Sequence, residues 1–280
     1  MAISYDRIRN TLTHLLVYLV LISGALWALF PFAWMVLSSL KGYAEASSAQ
    51  TFLPTRWLFE NYVQAWNQVG YFPRYFANTI FIATVTVLGV LITSTLAAYA
   101  FARMEFPARE TLFMILLATM MIPFEVTLIP NFIIIIQLKW IDHYEAMTIP
   151  WAASAFSIFL LRQFFRSIPA ELFDAAVIDG CSHLRFLATI VLPLSRPALI
   201  TSGLLTFLGT WNSLMWPLLV TNNPLMRPIQ VGMASFIGDA GTQIQLLLAA
   251  VTISVIPVML VYLVLQRWFI EGIATVGIRG

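Results

Sequence analysis

Charge is the scarcest commodity in this 280-residue chain. Only 10% of its residues are Asp, Glu, Lys or Arg, where a soluble domain carries roughly a quarter. The 15 basic and 13 acidic residues nearly cancel, giving a net charge of +2. That balance excludes a nucleic-acid binder, which would present a basic field. One cysteine, Cys181, rules out an intrachain disulfide and any multi-thiolate metal site. The three histidines, His14, His143 and His183, are scattered rather than clustered. Lysine occurs only as Lys41 and Lys139, each preceded by leucine, so no Gly-Lys-Ser/Thr phosphate loop exists and the chain cannot hydrolyse ATP by that route. No metal or cofactor site is expected in it, and no catalytic cluster.

What is present is apolar. Hydrophobic residues make up 60% of the chain and the mean hydropathy is +0.85. A helix needs about 20 apolar residues to cross about 30 Å of hydrocarbon. Six stretches qualify, at about 15–38, 76–101, 111–136, 147–163, 197–220 and 243–266; the third contains Pro123 and Pro130, and the fourth is short. Unbroken runs such as Ile133-Ile134-Ile135-Ile136 lack the alternation of barrel strands. The reading is an all-α integral membrane protein of six transmembrane helices, with residues 1–280 as a single transmembrane domain. Arg7 and Arg9 precede the first run as in a signal peptide, but no small-x-small site ends it. The first helix is therefore expected to be retained.

With the N-terminus inside, ten arginines fall on the inner side: 7, 9, 103, 109, 162, 166, 185, 196, 267 and 279. Five basic residues fall outside, namely Lys41, Arg56, Arg74, Lys139 and Arg227. This bias places both termini in the cytoplasm. The first outer loop, about 39–75, holds Trp57, Phe59, Tyr62, Trp66, Tyr71 and Phe72. These suit either the headgroup layer or a protein partner.

The dominant inner loop, about 163–196, reads as a short helix-turn-helix. Pro169 suits a first helical position, Glu171 the positive end of the helix dipole, and Gly180 a left-handed stop. Ser182 can cap a second helix reaching about Val191, with Leu184, Leu187 and Val191 on one face. Pro193 and Pro197 then break the chain. Glu171 and Asp174 share one edge, and Ala175 and Ala176 are small enough for a close neighbour. By these residues alone the element is either a docking surface or an interfacial connector.

Its spacing resembles a known pattern. Asp174-Ala175-Ala176, Gly180 and the run Ile190, Leu192, Pro193 resemble the EAA loop of bacterial ABC-importer permeases, with Asp174 where that family usually has Glu. Phe159-Leu160-Leu161-Arg162-Gln163-Phe164-Phe165, Trp211-Asn212, Gln266-Arg267 and the tail Gly277-Ile278-Arg279-Gly280 look like the maltose-type carbohydrate-uptake group. The resemblance implies a permease subunit of the bacterial inner membrane that works with a second, different permease chain. It also implies two ATPase subunits binding ATP and Mg, and an extracytoplasmic solute-binding protein. The loop would then be the coupling helix, with Glu171, Asp174, Ala175, Ala176, Gly180, Ile190, Leu192 and Pro193 forming the ATPase-docking element. The solute would be an oligosaccharide, a polyol or a glycerol phosphate compound.

The fifth span carries Ser202, Thr206, Gly209, Thr210 and Ser213 at helical spacing. That face is either pathway lining or helix packing. Trp211, Asn212, Ser213 and Trp216 are the pathway candidates there, with Glu125 and Asn131 in the third span. A mid-span carboxylate is costly, so Glu125 should face protein or water, as substrate contact or as a structural partner. The alternative function is a secondary transporter for a small polar solute, which would normally carry more intramembrane charge than Glu125. The topology is checked by cysteine accessibility. Probes at Gln50→Cys and Gln230→Cys should react from outside, while Cys181 should not; outside labelling of Cys181 overturns the orientation.

Overall fold

The computed structural model describes residues 2–48, 50–68, 71–234, 236–238 and 241–277. Arg279, with the end of the tail, lies outside the described residues. Apart from one two-residue β ladder, Ile237–Gly238 against Gly241–Thr242, the described regular structure is helical. In chain order the first helices are α1 (Ala2–Ser39), α2 (Tyr43–Ser48), α3 (Glu60–Gln68) and α4 (Phe72–Arg103). They are followed by α5 (Arg109–Thr119), α6 (Phe124–Gln137), α7 (Tyr144–Thr148) and α8 (Ala155–Ser167). The rest are α9 (Ala170–Ile178), α10 (His183–Phe186), α11 (Leu192–Leu194), α12 (Arg196–Trp211), α13 (Met215–Val220), α14 (Ile229–Ala234) and α15 (Ile244–Gly277).

Among the described residues, three helices are long and apolar enough to cross a bilayer, within Thr13–Ser39, Phe72–Arg103 and Ile244–Trp268. Three bent pairs bring the spans to six when each pair counts as one: α5 with α6 at 95°, α7 through Trp151 with α8 at 41°, and the helical stretch His183–Leu194 with α12 at 82°. The six-span reading therefore stands. Several of its helices are broken where the sequence suggested continuity.

The described residues form two compact units. One draws on Met1–Gly70 and Ser235–Ile253, the other on Tyr71–Ala234 and Ser254–Gly280. In the first, the segment after α1 is a folded cap. Lys41 is fully buried, its Nζ donates to Thr51 O, and it sits 4.7 Å from the centre of the Trp34 ring. Asn61 Nδ2 donates to Ser39 O at 2.8 Å and Lys41 O at 2.9 Å. Glu45 accepts from Thr51 Oγ1 and from the amide and hydroxyl of Thr55. The Thr51 hydroxyl leads in holding its carboxyl below the ordinary range. Trp57 and Phe59 stack on each other and stay exposed.

In the second unit α4 is the central post. Its buried residues, among them Tyr75, Thr79, Ile82, Thr86, Val90, Ser94 and Ala98, recur every three or four positions, the period of one helical face. That face packs against α8 and α12. The α8 end of this contact builds a core of Ala98, Tyr99, Phe113, Leu161, Phe165, Phe186 and Val191.

The breaks have local causes. Pro123 sits in extended conformation before α6 and bends the third span, because a proline pushes its predecessor out of the helical region. Pro130, expected to interrupt as well, lies inside α6. The predicted 197–220 helix stops at Trp211. The Asn212 backbone N–H and side-chain Nδ2 both donate to Leu208 O, at 3.1 and 2.9 Å. Such local side-chain bonding competes with helix continuation. Pro217, which has no N–H, then cannot bond Ser213 O across the gap. Ser154, unnoticed in the sequence, caps α8 by accepting from Ser157 N at 3.2 Å.

Two close approaches fix how the second unit packs. A Cβ on Gly89 would lie 3.0 Å from Ala152 Cβ, and one on Gly232 would lie 2.1 Å from Tyr75 Cδ2. The Tyr75 ring is itself buried at 2% exposure and has little room to retreat. Gly232→Ala should cost about 1–3 kcal/mol through overpacking. A clear drop in the melting temperature of the purified protein is expected, and an unchanged melt would contradict this packing.

Candidate functional site

The inner loop folds largely as its sequence reads, shifted by one residue at the start. Pro169 is the residue before the helix (φ −54°, ψ 139°), and Ala170 opens α9, with Glu171 in the first turn. At the other end Gly180 has φ +73°. The Gly180 N–H donates to Val177 O at 3.0 Å and the Cys181 N–H to Ala176 O at 2.8 Å. These two bonds form a Schellman motif, which consumes carbonyls a helix end would leave unpaired. Ser182 then caps the next helix, accepting from Arg185 N at 3.4 Å.

The residues expected to dock divide by the side they face. Glu171, Asp174, Ala175, Gly180 and Pro193 are exposed. Ala176, expected to admit a neighbour, is only 7% exposed and packs into the α8 core, and Ile190 and Leu192 lean against the same core. Around Asp174, α9 also shows Leu172, Val177 and Ile178, the last 85% exposed. The shared face of Leu184, Leu187 and Val191 does not form: Leu187 and Val191 are buried, whereas Leu184 is 69% exposed. The cause is a π-helical segment, Leu187–Val191, between α10 and α11. It spends an extra residue and rotates what precedes it. Helix continues through Pro193, and the chain turns at Ser195 instead.

A second feature lies among α4, the start of α6, α7, the turn before α8, α12 and α13, where a cavity of about 450 Å³ opens. Its walls include Thr86, Phe124, Trp151, Thr210, Ser213 and Trp216. Trp216 is buried, donates from Nε1 to Ala146 O at 2.8 Å, and meets Trp151 edge-on at 5.7 Å. Its ring thus faces the cavity while its polar atom is spent on the protein. Thr86, 2% exposed, has a buried hydroxyl oxygen with no partner among the described residues. Among the described residues, no Asp, Glu, Lys, Arg or His lines the space. Its size, apolar walls and few polar groups are those of a small-molecule site.

Of the pathway candidates, Ser213 and Trp216 line this cavity. Trp211 does not; it is buried against Phe76 and Phe207 at 5.9 and 5.3 Å. Asn212 is exposed, with Gln230 Nε2 at 3.5 Å from its Oδ1. Glu125 is exposed in the first turn of α6, just after the bend, and Asn131 is half-buried on the same helix. Neither reaches the cavity. Sequence reasoning missed Thr86 and Trp151; the seven-residue spacing of Thr79 and Thr86 on one α4 face was the available signal.

Residues 91–275 match the family described as the binding-protein-dependent transport system inner membrane component. The chain belongs to this family. Over 253 residues it is 35% identical to a probable ABC transporter permease protein of Bacillus subtilis (strain 168), covering 90% of this chain and 84% of that one. Identity of 35% over 264 residues, 91% of this chain and 94% of the relative, links it to the sn-glycerol-3-phosphate transport system permease protein of Yersinia pestis. The arabinooligosaccharides transport system permease protein of Halalkalibacterium halodurans is 30% identical over 90% of this chain and 92% of its own length. Among solved structures, a bacterial ABC transporter involved in the import of the acidic polysaccharide alginate superposes with a TM-score of 0.81. That match has 28% identity and covers 93% of this chain and 97% of the other. The protein is a multi-pass permease subunit of an ABC importer, and the secondary-transporter alternative falls.

The cavity makes a two-sided prediction. Thr86→Val keeps the shape but removes a buried, unpaired hydroxyl, whose burial costs about 1–3 kcal/mol. The variant should melt at or above the wild-type temperature, yet transport solute more weakly. Lower stability together with wild-type transport would remove Thr86 from the site.

Proposed function

We propose that the chain forms one half of the membrane pathway of an importer for a sugar-like solute, driven by ATPase subunits that dock on α9. The observation that carries this reading is the outer face of α9. Asp174 and Glu171 stand beside the exposed Leu172, Val177 and Ile178, on a helix closed by the Gly180 turn. Uncovered apolar side chains of that size next to carboxylates suit a protein partner rather than water. ATP and Mg belong to that partner, since the chain has no phosphate loop. A second permease chain, an extracytoplasmic solute-binding protein and cytoplasmic termini complete the proposal.

The cavity is the proposed solute contact within this subunit. Trp151 and Trp216 offer flat apolar surface to a sugar ring, and Thr86, Thr210 and Ser213 offer hydroxyls. The oligosaccharide, glycerol phosphate and polysaccharide systems of its relatives support a polyhydroxylated solute.

Asp174→Lys inverts a charge at the proposed interface, and removing one member of an interfacial charge pair costs about 2–5 kcal/mol. Gly180→Val forces a β-branched residue into φ +73°. Both variants should insert in the membrane, yet recover at least tenfold less ATPase subunit on co-purification or lose transport-coupled hydrolysis. Wild-type association and uptake in both would refute docking through α9.

A further inference from the structure

The peptide that leads into α9 is held by an arginine from a different helix. Arg103 closes α4, and its Nη2 donates to Phe165 O at 2.8 Å and also to Ile168 O. Both carbonyls belong to the end of α8, where no helical N–H remains to satisfy them. Ile168 is two residues before the first residue of α9. Arg162 returns the connection. It lies on α8, only 3% exposed, and its Nε donates to Phe101 O in the last turn of α4 at 3.1 Å. Its Nη2 meets both carboxylate oxygens of Glu110, at 2.6 and 2.7 Å, in the first turn of α5. Its guanidinium lies 3.9 Å from the centre of the Phe113 ring, also on α5.

The two arginines therefore cross: one reaches from α4 to the end of α8, the other from α8 to the end of α4 and the start of α5. Simple packing of these helix ends would not require either guanidinium to leave water. Burying Arg162 is tolerable only because its donors meet a carboxylate and a carbonyl. The atoms chosen are the carbonyls next to the docking helix. A shift of α9 cannot move Ile168 without straining the bonds to Arg103.

We propose that Arg103 and Arg162 are positioning residues for coupling: they carry a displacement of α9 into α4, which lines the cavity, and into α5. The proposal rests on the docking reading of α9. Arg103→Met preserves length and apolar volume while removing the donors to Phe165 and Ile168. Arg103→Lys restores the charge but has no planar fork to span both carbonyls. Glu110→Gln keeps a shape-matched acceptor for Arg162 and removes its countercharge.

The test uses the assembled importer, with its ATPase and solute-binding subunits, reconstituted in liposomes. Three quantities are read: ATPase subunit recovered, ATP hydrolysed, and solute imported per ATP. A fourth is the spread of distances between spin labels at Glu105→Cys and Arg166→Cys in a Cys181→Ser background, with and without nucleotide. Arg103→Met should retain the ATPase subunits and hydrolyse ATP, while importing about tenfold less solute per ATP. The label distances should broaden when nucleotide is added, whereas the wild type keeps them narrow. Arg103→Lys should recover part of the coupling ratio, and Glu110→Gln should lower it less than Arg103→Met does. A wild-type ratio and narrow distances in Arg103→Met, with the complex assembled, overturn the brace. If Arg103→Met fails to assemble, the ratio and distances in Arg103→Lys decide in the same way. Wild-type ATPase recovery and uptake in both α9 variants, with the ratio still falling in Arg103→Met, would reject docking through α9 and with it the route from α9 to α4, leaving Arg103 needed for coupling by another path.

Discussion

Wherever a helix breaks inside an apolar layer, the protein must satisfy the freed backbone groups itself, because hydrocarbon offers no donors or acceptors. This chain breaks several helices and answers a number of the breaks with a side chain. Ala152 O, in the turn before α8, accepts from Thr93 Oγ1 at 2.7 Å. Ala146 O takes the Trp216 indole, and Leu208 O takes the Asn212 amide. The amides of Asn222 and Asn223, after α13, donate to one oxygen of Asp142, at 2.6 and 2.7 Å. At the far end, Phe165 O and Ile168 O take Arg103.

The same constraint explains what could be read without coordinates. The Pro169–Gly180 element was legible because its signals are local: a proline, an acid in the first turn and a glycine at a left-handed position act through their own backbone. The number of spans was legible because it follows from apolar length. The stop at Trp211 was not, since Asn212 looks the same whether it points at a solute or at its own helix. Leu184 was misplaced because periodicity assumes 3.6 residues per turn, and the π segment Leu187–Val191 departs from it. Nor could Thr86, Trp151 and Trp216 be grouped, because α4, the turn before α8 and α13 meet only in the fold. Arg103 and Arg162 counted in the sequence as inner-side charges, and nothing local shows that each reaches across to the other's helix.

The two features with functional content sit on one post. Thr79 to Val90 of α4 wall the cavity, and Phe101 and Arg103 of the same helix hold the region before α9. Between them the helix is uninterrupted from Phe72 to Arg103. An α-helix with all its internal hydrogen bonds is stiff, so the post is suited to act as a lever between a membrane-embedded cavity and a surface-exposed element.

The π segment also bears on how the chain tolerates changes in length. Each residue added to or removed from a helix turns everything beyond it by about 100°. Removing one residue between Leu187 and Val191 would restore α-helical winding and swing Leu184 and the Ser182 cap around the axis. The Schellman turn at Gly180 would then point a different way from α12. A stretch that elsewhere would count as a neutral linker is here a fixed-length spacer. Substitutions between Leu187 and Val191 can be absorbed by packing, but a single insertion or deletion resets the aim of the surface that precedes it.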